Sequence, residues 1–169
     1  WTGWHRIEKD LWPPAAGYDP LALVDRVPFA DDLLANTQLL HERVQDLSYT
    51  VSDIGNGAKG LLDEVAAGKI TGEEDIWSHT DLYDFQANVD GARVAYEGVK
   101  PLLDVKDADL STEIRGRFDA LQGLLDKHRT ADGGFVFYDT VGEPERKALS
   151  DAVNALGEPL SKMTGAIVL

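Results

Sequence analysis

His5 and Glu8 stand three residues apart in the run Trp1-Thr2-Gly3-Trp4-His5-Arg6-Ile7-Glu8. On a helix that spacing places both side chains on one face, about one turn apart. An imidazole beside a carboxylate is the donor pair from which helical bundles build metal sites. Oxygen and nitrogen donors together suit iron, zinc, copper or manganese better than calcium. Trp1, Trp4, Glu8 and Leu11 recur at steps of 3, 4 and 3, so Glu8 falls on an apolar stripe. A carboxylate there is costly unless it is paired or metal-bound. The same spacing admits a plainer reading, in which Arg6 or Lys9 pairs with Glu8 at the stripe's edge and His5 is a satisfied histidine.

A second stretch, residues 71–88, is dense in oxygen donors: Glu73, Glu74, Asp75, Asp81 and Asp84, with His79 among them. Asp81, Asp84 and Asn88 form an i, i+3, i+7 stripe that could complete a site begun by His5 and Glu8. Capping explains several of the same residues, since Thr71 to Glu74 and Ser78 to Asp81 both have capping-box spacing. Other chemistries fail on their motifs. His41-Glu42-Arg43-Val44-Gln45 starts like a zincin helix but ends in Gln, without the second His, which leaves His41 and Glu42 as solvated residues. No G-x-S-x-G elbow, no P-loop and no G-x-G-x-x-G following a strand is present. Asp53-Ile54-Gly55-Asn56-Gly57 lacks the ligand ladder of a calcium loop. His128 falls on a helix seam near a C-terminus and reads as structural. Trp12, Trp77, Tyr83 and Tyr96 read as core or rim aromatics.

The elements that must position these residues are helical. Apolar residues recur at alternating steps of 3 and 4 along five segments. The seams are Leu33, Thr37, Leu40, Val44, Leu47; then Val51, Ile54, Ala58, Leu61, Val65; then Leu82, Phe85, Val89, Ala92, Tyr96, Val99, Leu103; then Ile114, Phe118, Leu121, Leu125, His128; and last Leu149, Val153, Leu156, Leu160, Met163, Ile167. The best strand candidate, Gly134 to Tyr138, is too short to carry a sheet. Asp19-Pro20 predicts a helix start. Pro28 predicts an end or a kink, and Gly55 and Gly57 a weak point. Gly68 predicts a C-cap. Pro101 and Lys106 to Asp109 predict a loop, and residues 132–144 the longest irregular stretch. These signs predict one all-α domain over residues 1–169, an antiparallel helical bundle. The opening residues look like the middle of a helix, so the chain reads as processed or truncated, lacking upstream helices.

Composition narrows the partners. The 169 residues carry 16 Lys+Arg against 30 Asp+Glu, a net charge of −14. Such a surface repels phosphate backbones and attracts cations or a basic partner, which argues against non-specific nucleic-acid binding. Cys is absent, so disulfides, thiolate metal sites and Cys nucleophiles are excluded. No apolar run reaches ~18 residues, the length a membrane-spanning helix needs.

Four blocks carry a resemblance: Gly3 to Lys9; Asn56-Gly57-Ala58-Lys59-Gly60-Leu61-Leu62-Asp63-Glu64-Val65-Ala66; Lys69-Ile70-Thr71-Gly72-Glu73-Glu74-Asp75; and Ser78 through Ala92, starting Ser78-His79-Thr80-Asp81-Leu82-Tyr83-Asp84-Phe85. Together they resemble the C-terminal, imelysin-like domain of the EfeO family, over most of residues 1–100. Members are extracytoplasmic components of a bacterial ferrous-iron uptake system, described also as lipoproteins and as peptidases. The resemblance implies a helical bundle that binds metal through H-x-x-E, here His5 and Glu8. It implies further acidic ligands, some upstream of the motif and others in the 73–84 block, where Glu74 and Asp81 are favoured. The implied ligand is iron, with copper or zinc as alternatives. The implied partners are a membrane iron permease and the protein's own cleaved N-terminal segment. The implied location is periplasmic, cell-surface or secreted. The competing readings are a metal-dependent enzyme such as a metallopeptidase using the same site, and a helical interaction module with a polar seam. One H-x-x-E provides neither a second His nor a nucleophile for peptidase chemistry.

Overall fold

A computed structural model describes residues 1–67 and 69–168, excluding the Lys69 side chain. The expected cap at Gly68 lies outside the described residues. Among the described residues there are six α-helices, in chain order α1 (Trp4–Leu11), α2 (Leu23–Val44), α3 (Val51–Ala67), α4 (Asp81–Lys106), α5 (Ala108–Leu125) and α6 (Glu143–Val168). Among the described residues there is no strand. The 134–138 segment contributes a single antiparallel bridge, Arg129 to Phe135, because Tyr138 already starts a 3-10 turn. The chain divides into two compact units, residues 1–48 with 75–79, and residues 49–74 with 80–169.

The second unit is the antiparallel bundle, with α3, α4, α5 and α6 packed in a ring. Its core lies along the seams. All seven expected positions of α4, the four of α5 from Ile114 to Leu125, and all six of α6 are buried. His128, expected to close the α5 seam, lies beyond that helix in a 3-10 turn and is half-buried. On α3 the seam holds at Ala58 and Val65, which are buried, and moves by one residue between them, with Leu62 buried and Leu61 half-buried, because this helix packs against both α4 and α6. The glycines of α3 do not break it. Gly55 lies against α6, and a Cβ there would collide with the Thr164 hydroxyl. Pro101 lies inside α4 and not in a loop. Burial of Val99 and Leu103 on either side offsets the one hydrogen bond that Pro removes. The expected 106–109 loop shrinks to Asp107, whose carboxylate caps α5 by accepting from the Leu110 N–H at 2.9 Å. Inside the bundle, the Tyr96 hydroxyl donates to the Ser111 carbonyl at 2.9 Å.

The first unit contains α1, α2 and the turn 75–79. The helix expected over 33–47 forms as far as Val44, leaving Leu47 beyond it, and its seam is not packed. No residue of α2 is buried, and Leu40 is 61% exposed. Periodicity marks a shared face, not a covering element. The helix that packs on α2 within this unit is α1, whose eight residues span ~12 Å against ~33 Å for α2. Nor does α2 start at Asp19-Pro20; it starts at Leu23 after Ala22. The preceding segment is held elsewhere, since the Leu21 N–H donates to the Asp10 carboxylate at 2.6 Å. Pro28 sits in the second turn without ending the helix. Thr71 closes a 3-10 turn, and α4 is capped at Thr80 and not at Ser78.

Candidate metal centre

Helix α1 starts at Trp4 after Gly3, whose φ of 95° lies in the region glycine favours, so Trp1 and Thr2 precede the helix. The i, i+3 spacing then does what helical geometry requires. His5 Nδ1 lies 3.1 Å from Glu8 Oε2. Glu8 is buried at 8% exposure, but the rest of its expected stripe is not: Trp1 is 68% and Trp4 70% exposed, and Leu11 is also exposed. The turn 75–79, not an apolar seam, covers Glu8.

That turn is closed by the His79 N–H donating to the Asp75 carbonyl at 2.8 Å. It ends with His79 in the left-handed region, φ 57°, where a non-glycine residue is strained. This backbone path aims two successive N–H groups at one carboxylate oxygen. Glu8 Oε1 accepts from Trp77 N–H at 3.0 Å, from Ser78 N–H at 2.9 Å and from the Ser78 hydroxyl at 3.1 Å. Burial pushes the Glu8 carboxyl pKa up. The Ser78 N–H, the His5 ring, the Trp77 N–H and the Ser78 hydroxyl outweigh that and hold it below its ordinary value. Ser78, expected as a cap, is instead a buried donor to Glu8.

Asp75 is the third member. One ligand atom each from His5, Glu8 and Asp75 lies within 4.8 Å of the others. Two ligands at right angles around a metal with ~2.1 Å bonds stand ~3 Å apart. The 3.1 Å between His5 Nδ1 and Glu8 Oε2 matches that span. One nitrogen and two carboxylate donors are a set that iron, zinc, copper or manganese accept. Glu74 and Asp81 are not members of this group and belong to the other compact unit, Glu74 half-buried and Asp81 buried as the first residue of α4. Asn88, from the expected stripe, donates to the Leu61 carbonyl at 3.1 Å. His41 and Glu42 are exposed, as expected.

Arg6 and Lys9, the plainer partners considered for Glu8, turn to aromatic rings. Arg6 donates to the Tyr18 hydroxyl at 2.6 Å and lies 4.6 Å from the Phe29 ring centre. Lys9 lies 5.1 Å from the Tyr18 ring and 5.4 Å from that of Trp77. Asp10, which no motif singles out, ties α1 to the start of α2 and the segment before it. It is 3% exposed, forms an ion pair with Arg26, and accepts from the Tyr18 hydroxyl at 2.9 Å and from the Leu21 N–H. Burial raises its pKa, and the Leu21, Tyr18 and Arg26 donors more than offset that and lower it. A signal was present: an Asp in the last turn opposes the helix dipole, so it needs a partner. Asp75 stood in the acidic block with nothing local to single it out.

Comparison with known proteins gives a consistent picture. The imelysin family model, which carries a peptidase label, matches residues 1–163. An Efem/EfeO family lipoprotein of Staphylococcus aureus strain MRSA252 is 47% identical over 163 residues, covering 96% of this chain and 56% of the relative. The counterpart in strain NCTC 8325 / PS 47 has the same identity and coverage, and that in strain MSSA476 is 46% identical. The chain spans little more than half the length of the curated relatives it matches.

Proposed function

This chain belongs to the imelysin family, and from that membership we propose that it is the metal-capturing part of an extracytoplasmic iron-uptake component. Iron is its cargo. The observation that carries the reading is the convergence of His5, Glu8 and Asp75 within 4.8 Å, with Glu8 buried and its carboxyl held ionised by hydrogen bonds. An imidazole nitrogen and two carboxylate oxygens would hold the ion. The net charge of −14 raises the local cation concentration around the protein. Glu74 and Asp81, from the same acidic block, are the residues from which further ligands would come. The captured ion would then pass to a membrane permease. The family match runs through both compact units, which supports reading residues 1–169 as one domain.

The relatives' lipoprotein names support a surface-attached or extracytoplasmic location. Among the described residues, no helix is long and apolar enough to cross a membrane. The same names favour a non-enzymatic role, and the donor group favours it further. It contains one His, where the common catalytic zinc sites use at least two, or one with two Cys.

Calorimetric titration with ferrous, ferric, copper and zinc ions tests this, comparing the wild type with Glu8→Gln at matched helicity. Gln keeps an acceptor for Trp77 and Ser78 but presents an amide in place of the metal-facing carboxylate. Saturable binding by the wild type that is lost in the variant is expected. A wild type that takes up none of the four ions would falsify the proposal.

A further inference from the structure

We propose that the turn 75–79 restricts Glu8 to one metal-facing oxygen, making the site selective for small, imidazole-binding cations over calcium, with Ser78 as the positioning residue. This rests on the metal-capture reading above and names the cation class that the site takes.

The two oxygens of Glu8 stand in different surroundings. Oε1 accepts three hydrogen bonds, from the Trp77 N–H, the Ser78 N–H and the Ser78 hydroxyl. A carboxylate oxygen offers about two lone pairs, so three donors fill it. The positive ends of two backbone N–H dipoles also converge there, which favours the anion and repels a cation. Oε2 faces His5 Nδ1 at 3.1 Å. A metal beside His5 therefore meets Glu8 through Oε2 alone.

The turn that occupies Oε1 also carries Asp75. Its closure, His79 N–H to Asp75 carbonyl at 2.8 Å, links the donor pair and the second carboxylate within five residues. One short segment thus sets both the denticity of Glu8 and the place of Asp75. Calcium takes 6–8 oxygens at 2.3–2.6 Å and commonly uses a bidentate carboxylate. A site with a nitrogen donor and a Glu fixed as a one-oxygen ligand suits it poorly. First-row ions and zinc, with bonds near ~2.1 Å and a liking for imidazole, accept that arrangement.

Ser78 is 4% exposed and touches the centre through Glu8. Ser78→Ala removes one of three anchors and no ligand; Ser78→Thr keeps the hydroxyl. The experiment titrates zinc(II) and calcium(II) into the wild type and both variants. The amide hydrogen exchange of Trp77 and Ser78 is monitored in metal-free protein. Loss of such a supporting hydrogen bond weakens metal binding by about 10-fold or more. The expected result is zinc preferred in the wild type and a zinc-to-calcium ratio about 10-fold smaller in Ser78→Ala. The ratio returns in Ser78→Thr, and exchange at the two amides is faster in Ser78→Ala alone. Equal losses for both ions in Ser78→Ala would reduce Ser78 to a structural role and overturn its assignment. A wild type that binds zinc and calcium alike overturns the selectivity and leaves metal capture standing. A wild type that binds neither overturns both.

Discussion

The two compact units are held by opposite kinds of burial. In the bundle formed by α3 to α6, the buried side chains are overwhelmingly apolar, from Ala58 to Ile167, and Tyr96, Phe118, Ile114 and Leu156 are almost wholly covered. In the unit containing α1, α2 and the turn 75–79, the buried side chains among the described residues are Glu8, Asp10 and Ser78. An apolar core is held by non-directional burial, but it is close-packed and resists small shifts. Buried carboxylates are stable only while every donor around them stays in place. The bundle is therefore suited to rigidity, and the other unit to holding charge in a set geometry, as a cation site requires.

The largest effect should come from the bundle. Phe118→Ala removes a fully buried ring and is expected to lower stability by about 3–5 kcal/mol, read from urea unfolding. A loss under about 1 kcal/mol would mean that the core is looser than its burial implies. Next comes Asp10→Ala, which strips the acceptor from Tyr18, Leu21 and Arg26 and is expected to cost about 1–3 kcal/mol. Hydrogen exchange should speed up in α1 and the residues before α2. Equal acceleration throughout α5 and α6 would break the contrast between the units.

Acid should act on the polar unit through the same residues. The folded-state pKa values of Glu8 and Asp10 lie below their ordinary 4.5 and 3.8. Their contribution is therefore complete above those values and is lost as pH falls through the lower folded ones. Stability measured against pH should decline in that window, and Glu8→Gln should flatten its share of the decline. An unchanged profile in Glu8→Gln would show that the hydrogen bonds to Oε1 do not favour the ionised form.

The smallest effect belongs to the strained end of the turn. His79→Gly relieves the positive φ and should change stability by less than about 1 kcal/mol, whereas the β-branched His79→Val should cost about 1–3 kcal/mol. Thermal unfolding of the two variants distinguishes backbone strain from a role for the imidazole. If Gly proves as damaging as Val, the side chain matters.

Legibility in the sequence depended on the range of the interaction. The seams of α4, α5 and α6 were readable residue by residue, because a bundle core repeats every three or four positions of one chain segment. The α2 seam was equally regular and is nonetheless uncovered, since periodicity carries no information about the length of a partner helix. Pro101 looked like a break and is not one, because packing of its neighbours outweighs a single lost bond. The Ser78 to Asp81 spacing looked like a cap, but the hydroxyl is used by Glu8, seventy residues away in sequence.

By itself the sequence determined an all-helical chain with an apolar bundle, a strongly acidic surface, and a His–Glu pair on one helical face. Each of these comes from local spacing or composition. Only the tertiary structure decided that Asp75 joins that pair, that Asp10 is buried against Arg26, and that the two oxygens of Glu8 are unequal. The inequality of the Glu8 oxygens depends on where a distant turn places two N–H groups. A backbone donor has no residue type, so no pattern of letters marks it.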